Sequence, residues 1–220
     1  MSNSKLTQSI GFGTMEGENP SLLYEMTKQA LENNVTHFDC AELYASSQHV
    51  GRAFNEIIEH TIPRSTLHIT SKLKGMPSGS YDQIRERLTN HLNTLSLAYV
   101  DLLLIHWPGQ HDTDLSSNDD IASKCTWSYF DTNIEAAWIN MQRLQTEGLT
   151  KQIGVSNFYL SHLQRLPEPP PFANEIYLDI THQENVLCEY MNTHNIQCIA
   201  YRTLAFLPVV AMASQSKFDL

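Results

Sequence analysis

Short apolar runs and helical stripes alternate along the whole of this sequence, and that alternation limits the fold more than any other feature. β-rich runs occur at Ile10–Thr14, Val35–Asp39, Leu67–Lys72, Val100–His106, Gln152–Ser156, Phe172–Tyr177 and Ile196–Tyr201. Between them, apolar residues recur at helical spacing. Asn19 and Pro20 read as an N-cap and first turn ahead of Leu22, Leu23, Met26, Ala30 and Leu31. Val50, Ala53, Phe54, Ile57 and Ile58 form a second stripe, and Ile84, Leu88, Leu92 and Leu95 a third. Asp131 opens a fourth, with Ile134, Ala137, Trp138, Met141 and Leu144 inward and Gly148 at its stop. A short fifth lies around Leu160 and Leu163. Thr181 with Glu184 reads as a capping box before Val186, Leu187, Tyr190 and Met191. Gln110–Tyr129, rich in Ser, Asp and Asn, reads as a long loop, and Pro167–Pro171 as a rigid connector. The alternation predicts a parallel sheet with helices packed outside it, in one domain over residues 1–220.

Two closures satisfy that pattern: an open doubly wound sheet or a β/α barrel. The open nucleotide-binding sheet calls for G-x-G-x-x-G after its first strand. Gly11, Gly13 and Gly17 have the wrong third spacing, although Asp39 could serve as the acid closing the second strand. The barrel accounts for more. In a β/α barrel, functional side chains come from the C-terminal ends of several strands and converge on one face. Asp39, Lys72 and His106 stand at the ends of the second, third and fourth runs.

Charge and composition narrow the partners. The net charge of −10 argues against nucleic acid or an anionic membrane surface. No apolar run approaches the ~20 residues that span a bilayer, and the first residues lack the apolar core of a signal peptide. Cys40, Cys125, Cys188 and Cys198 are scattered with no C-x-x-C pair, which fits reduced thiols in a cytoplasmic protein and no metal site.

A lone Asp at a strand end is ordinarily a cap, a lone Lys a surface residue, a lone His a satisfied core residue. Together with Tyr44, five residues after Asp39, they make a chemical unit. Free tyrosine titrates near ~10 and exchanges protons poorly at neutral pH. A neighbouring ammonium, held by Asp39, is expected to lower that value. His106 could orient a substrate oxygen. This arrangement adds a proton to an oxygen. Neither G-x-S-x-G nor H-E-x-x-H is present to suggest hydrolysis.

These residues carry a resemblance. GFGT (11–14), FDCAELY (38–44), ITSKL (69–73), YVDLLLIHWP (99–108), IGVSNF (153–158) and IAYRTL (199–204) resemble, in order, successive blocks of the aldo-keto reductase family. The resemblance implies a (β/α)8 TIM-type barrel and reduction of a small-molecule aldehyde or ketone with NADPH or NADH. It implies Tyr44 as proton donor, Lys72 as the cation beside it, Asp39 as the partner of Lys72 and His106 as the orienter of the carbonyl. Thr14, Ser156, Asn157, Glu175 and Tyr201 fall at cofactor positions, with Tyr201 stacking on the nicotinamide. Trp107, with His106, falls at the substrate pocket.

The sequence also departs from the family pattern. The usual Y-G-N-E reads Tyr44-Ala45-Ser46-Ser47, and the Asn-Gln pair of strand six reads Asn174-Glu175. About seven strands are recognisable; the eighth strand and its helix are missing, so the barrel is expected to be shortened, with an open edge that could self-associate. The tail after Tyr201 offers only Arg202 and Lys217 for the family's phosphate clamp. Two other readings stay open: a family member used for binding or regulation, and a truncated gene product.

Overall fold

The computed structural model describes residues 10–15, 19–58, 60–77, 79–109 and 134–205. The long loop at Gln110–Tyr129, Asp131, Cys125 and the tail beyond Ala205 lie outside them. Seven strands are formed: β1 (Phe12–Gly13), β2 (His37–Asp39), β3 (His68–Leu73), β4 (Val100–Ile105), β5 (Thr150–Ser156), β6 (Ala173–Tyr177) and β7 (Gln197–Tyr201). Every pairing is parallel, and each strand lies beside the next in chain order. Parallel neighbours need crossover connections. Each of the six crossovers contains a helix: α1 (Leu22–Glu32), α2 (Ser47–Ile58), α3 (Tyr81–Thr94), α4 (Ile134–Thr146), α5 (Leu160–Leu163) and α6 (Asn185–Thr193).

Side chains alternate across a strand, and the two faces of this sheet differ in content. On β4, Leu103 and Ile105 join the large core under the helices, with Phe54, Leu88, Trp138 and Met141. Leu102 and Leu104 face the other way and pack with Ala173, Phe172 and Ile199. That second, smaller cluster fills the inside of a curled sheet. The curl is visible in one contact. Three strand spacings separate β3 from β6, about 14 Å in a flat sheet, yet Lys72 Nζ of β3 lies 3.2 Å from Glu175 Oε1 of β6. Gly154 permits the inner packing: a Cβ there would stand 2.6 Å from the Ala173 carbonyl oxygen and 2.8 Å from Leu104. Among the described residues β1 and β7 do not pair with each other, so the sheet is a barrel curled through seven strands.

Three helical expectations need correction. The α1 N-cap position is Ser21, not Asn19; Asn19 instead receives the Ser21 N–H at 3.2 Å and hydroxyl at 2.6 Å. Leu22 and Met26, expected inward, are 55% and 46% exposed. The buried line is Leu23, Thr27 and Leu31, because α1 packs on α2 along an i, i+4, i+8 ridge. Thr181 and Glu184 make no capping box. Asp179 Oδ1 takes the N–H groups of Thr181 and His182 and the Thr181 hydroxyl, each at 2.7 Å. That turn delays α6 to Asn185, burying Leu187 and Met191 and leaving Val186 exposed. The proline connector is tied to α4, where Trp138 Nε1 donates to the Pro169 carbonyl at 3.0 Å. No helix among the described residues is long and apolar enough to cross a membrane.

Candidate active site

Strand parity decides which polar residues meet. His37 and Asp39 point inward on β2, Thr70 and Lys72 on β3, and Ala173 and Glu175 on β6. His106 follows β4 one step beyond Ile105 and continues the inward series of Leu102 and Leu104. Asp39, Lys72, His106, Glu175 and Tyr201 therefore collect at the C-terminal end of the sheet, where the βα loops begin.

Lys72 is the centre of this group. It is 1% exposed. Its ammonium donates to both oxygens of Asp39 and to the Cys40 carbonyl at 3.4 Å, and it pairs with Glu175 at 3.2 Å. Burial works against a charged ammonium. Asp39 and Glu175 outweigh it and hold the lysine well above its usual range. Glu175 responds differently: burial first, then the charge of Asp39, push its carboxyl up to about 8, against the pull of Lys72.

Tyr44 sits half-buried on the loop between β2 and α2, and its ring is under the Lys72 ammonium, 5.4 Å from the centroid. The loop is held at several points. Tyr44 N–H donates to the Ala41 carbonyl at 3.1 Å, Ser46 Oγ to the Thr14 carbonyl at 2.6 Å and Ser47 Oγ to the Ala41 carbonyl at 3.0 Å. The Ala45-Ser46-Ser47 departure thus supplies two buried hydroxyl ties. Glu42 adds a third anchor, accepting from Arg87 Nε and Nη2 at 3.1 and 2.7 Å and from the Lys74 N–H at 2.8 Å. The expected lowering of the phenol pKa does not prevail. Burial raises it, the Lys72 charge pulls it down by less, and Asp39 and Glu175 raise it further.

The His106 ring meets the Tyr44 ring edge-on, with centroids 6.0 Å apart, and Trp107 lies nearly parallel to it at 6.2 Å. Asn157, in the left-handed region at φ 61°, is fully engaged. Its Nδ2 donates to the His106 carbonyl at 3.0 Å and to Ser156 Oγ at 3.1 Å, and its Oδ1 accepts the Tyr201 hydroxyl at 2.7 Å. Ser156 Oγ donates to the Glu175 carbonyl at 3.1 Å. Ser156, Asn157, Glu175 and Tyr201 therefore form one connected wall beside Lys72. Thr14 is placed differently: buried, with its hydroxyl on the Asp39 carbonyl at 2.8 Å, it ties the end of β1 to the end of β2. Asn174 faces away from the group, its side chain donating to the Phe158 carbonyl at 2.7 Å.

Two features escape sequence reasoning. The Glu42–Arg87 anchor spans separate segments, and no local pattern links them. The Glu175–Lys72 contact does have a signal: parity puts position 175 inside, where an acid must find a cation.

A curled parallel sheet with a buried lysine, an aspartate, a tyrosine and a histidine at its C-terminal end defines a protein of the β/α-barrel class with an ionisable cluster where the βα loops begin. The sequence matches the model of the Aldo/keto reductase family over residues 9–210. It is 30% identical over 211 residues to an aldo/keto reductase of Synechocystis sp., covering 93% of this chain and 62% of that one. It is 32% identical over 208 residues to the methylglyoxal reductase DkgA of Escherichia coli O157:H7, covering 93% and 66%. The aldose reductase of Giardia lamblia matches with a TM-score of 0.75 at 28% identity, over 87% of this chain and 64% of that one. A Bombyx mori aldo-keto reductase solved in complex with NADP matches with a TM-score of 0.73 at 27% identity, over 88% and 62%. The chain belongs to the aldo/keto reductase family, and it spans about two thirds of the length of these relatives.

Proposed function

We propose that this protein reduces an aldehyde or ketone to an alcohol, with NADPH or NADH as hydride source and Tyr44 as proton donor. The carrying observation is the fully buried Lys72 ammonium, fixed by Asp39 and standing over the Tyr44 ring.

The residues suit a nicotinamide. A cavity of about 900 Å³ opens between β1 and β7, lined by Gly11, Gly13, Asp39, Glu175, Tyr201 and Arg202; of the residues placed at the cofactor it reaches Glu175 and Tyr201, and it does not reach Tyr44, His106, Ser156 or Asn157. Glu175 Oε2 is a buried acceptor with no donor among the described residues, matched to an amide N–H. Ser156, Asn157 and Glu175 would hold the carboxamide, Tyr201 would present its ring, and Thr14 would shape the wall by fixing β1 to β2. A reduced nicotinamide, when bound, supplies the hydride that goes to the carbonyl carbon.

The chain's own part is proton delivery. As the carbonyl oxygen gains charge, Tyr44 Oη gives it a proton, and the phenolate left behind faces the Lys72 ammonium. That interaction is stronger in the transition state than before it, which is where it accelerates the reaction. Asp39 keeps the ammonium placed. His106 hydrogen-bonds the carbonyl oxygen and sets its direction, while Trp107 lines the approach. The phenol, held above its usual pKa by burial, stays protonated at neutral pH, and the Lys72 ammonium opposes that rise.

Carbonyl-dependent oxidation of NADPH tests this, with methylglyoxal and an aldose as first substrates because relatives carry those names. Turnover by the unmodified protein, lost in Tyr44→Phe, is the expected result. Dinucleotide binding without turnover of any carbonyl would favour the binding role instead.

A further inference from the structure

Glu175 does more than line the cavity. The residue is buried on the strand opposite Asp39, and Lys72 lies between the two acids. One ammonium with two carboxylates leaves a net negative charge if both acids ionise, inside a site with little water to screen it. The two acids are not equivalent: the Asp39 side chain is 23% exposed and that of Glu175 is 5%. The deeper acid is the one that keeps a proton. Its second oxygen, Oε2, has no hydrogen-bond donor among the described residues.

We infer that Glu175 is a positioning residue for proton donation: its carboxyl shares Lys72 with Asp39, and its charge state sets how much of the ammonium's field reaches Tyr44. This rests on the assignment of Tyr44 as proton donor. With Glu175 neutral, Lys72 has one counter-charge and pulls on the phenol. With Glu175 ionised, the ammonium is over-compensated and the phenol becomes a weaker acid. The direction agrees with the causes acting on Tyr44, where Lys72 lowers and Glu175 raises the phenol pKa.

Other titratable groups face the pair from the neighbouring strands. Asp39 closes β2, and His37 lies one inward step below it, feeling both Asp39 and Lys72. His106 touches the Tyr44 ring from the end of β4. Tyr201 on β7 is pushed up to about 12, by burial first and then by the charge of Glu175, with Arg202 opposing. The Tyr201 hydroxyl is engaged with Asn157. β1 brings Thr14, and β5 brings Ser156 and Asn157, none of which titrates. Glu175 itself ionises between neutral and mildly alkaline pH, near about 8.

The test uses the unliganded full chain. Phenolate absorbance is titrated with pH in the unmodified protein and in Glu175→Gln, and each curve is corrected by its Tyr44→Phe counterpart so that only Tyr44 remains. Glu175→Gln should bring the Tyr44 ionisation down by about one pH unit or more. Glu175→Met, similar in length and uncharged, should shift it the same way, and stands in if the Gln variant does not fold. An unchanged or higher Tyr44 titration in the folded variant would overturn the inference. A third measurement needs no variant. Glu175 has a folded pKa above its unfolded value of about 4.5, so its stabilising effect is present below that value and lost as pH rises through about 8. Thermal stability of the unliganded protein should fall over that upper window, and a flat curve there would count against the inference. If no carbonyl is reduced but the phenol shift is seen, the proton-donor assignment fails and the Glu175–Lys72–Tyr44 coupling stands. If carbonyls are reduced but the phenol does not shift, the coupling fails and Tyr44 keeps its place as donor.

Discussion

The Lys72 ammonium lies 5.4 Å from the centre of the Tyr44 ring, and both groups are fixed from outside the pair. Asp39 and Glu175 hold the lysine, and Ser46, Ser47 and Glu42 hold the tyrosine loop. Replacing Tyr44 by Phe leaves that scaffold intact and removes one hydroxyl. kcat should drop by roughly 10²–10⁴, the usual range for loss of a general acid. Dinucleotide affinity should stay within about twofold, because the proton is given only in the transition state. Steady-state kinetics and fluorescence titration check both parts.

In the proposed mechanism the reverse reaction, alcohol oxidation, would need the phenol as its anion. Burial holds the phenol above its usual pKa, so the oxidation rate should rise with pH up to the alkaline limit of the fold. Lys72→Met removes the ammonium that lowers the phenol pKa and should slow oxidation further at every pH. A rate plateau below pH ~9 in the unmodified protein would mean that Tyr44 ionises more easily than free tyrosine, which titrates near ~10.

Acid stability depends on neutral histidines, one buried and one half-buried. His91, 2.7 Å from Ser71 Oγ, and His68, against His37 at 4.8 Å, are each pushed down to about 4, chiefly by burial. A histidine with a lowered folded pKa stabilises above its unfolded value of about 6.5, and that contribution is lost as pH falls toward 4. Each contributes about 3 kcal/mol at most across that window. Glu175 acts in the opposite direction over part of the same range, but one acid faces two histidines, so acid should still destabilise the protein. Chemical denaturation between pH 7 and 4 checks the trend, and His91→Gln should flatten it.

Gly51→Ala separates helix propensity from packing. Within an exposed helix the change would stabilise by about 1 kcal/mol. Here the added Cβ would stand 2.0 Å from the Thr94 carbonyl oxygen, at the crossing of α2 and α3. Overpacking against backbone costs about 1–3 kcal/mol or more. A net loss of stability is expected, measured by the midpoint of chemical denaturation.

Much of this organisation is legible in the chain. The strand runs end within a few residues of the observed strands because apolar β-branched stretches and their polar ends report the inward alternation directly. Asp39, Lys72 and His106 can be grouped because barrel strands deliver their C-terminal ends to one face. The pKa of Tyr44 cannot be read from sequence, since it depends on how deeply the ring is buried. Val186 and Met26 leave their expected faces for a related reason: an apolar residue at helical spacing shows a face, and only the packed neighbour shows how wide that face is. Asp179 displaces the expected capping box because an Asx turn and an N-cap draw on the same residue types.

Isotope transfer tests the central claim most directly. The protein is incubated with an aldehyde and NADPH carrying deuterium at the transferable position, and the alcohol is analysed by mass spectrometry. Reduction at this site predicts an alcohol with a single deuterium on the carbinol carbon, and almost none from the Tyr44→Phe protein. Alcohol without deuterium, or equal yields from the two proteins, would contradict it.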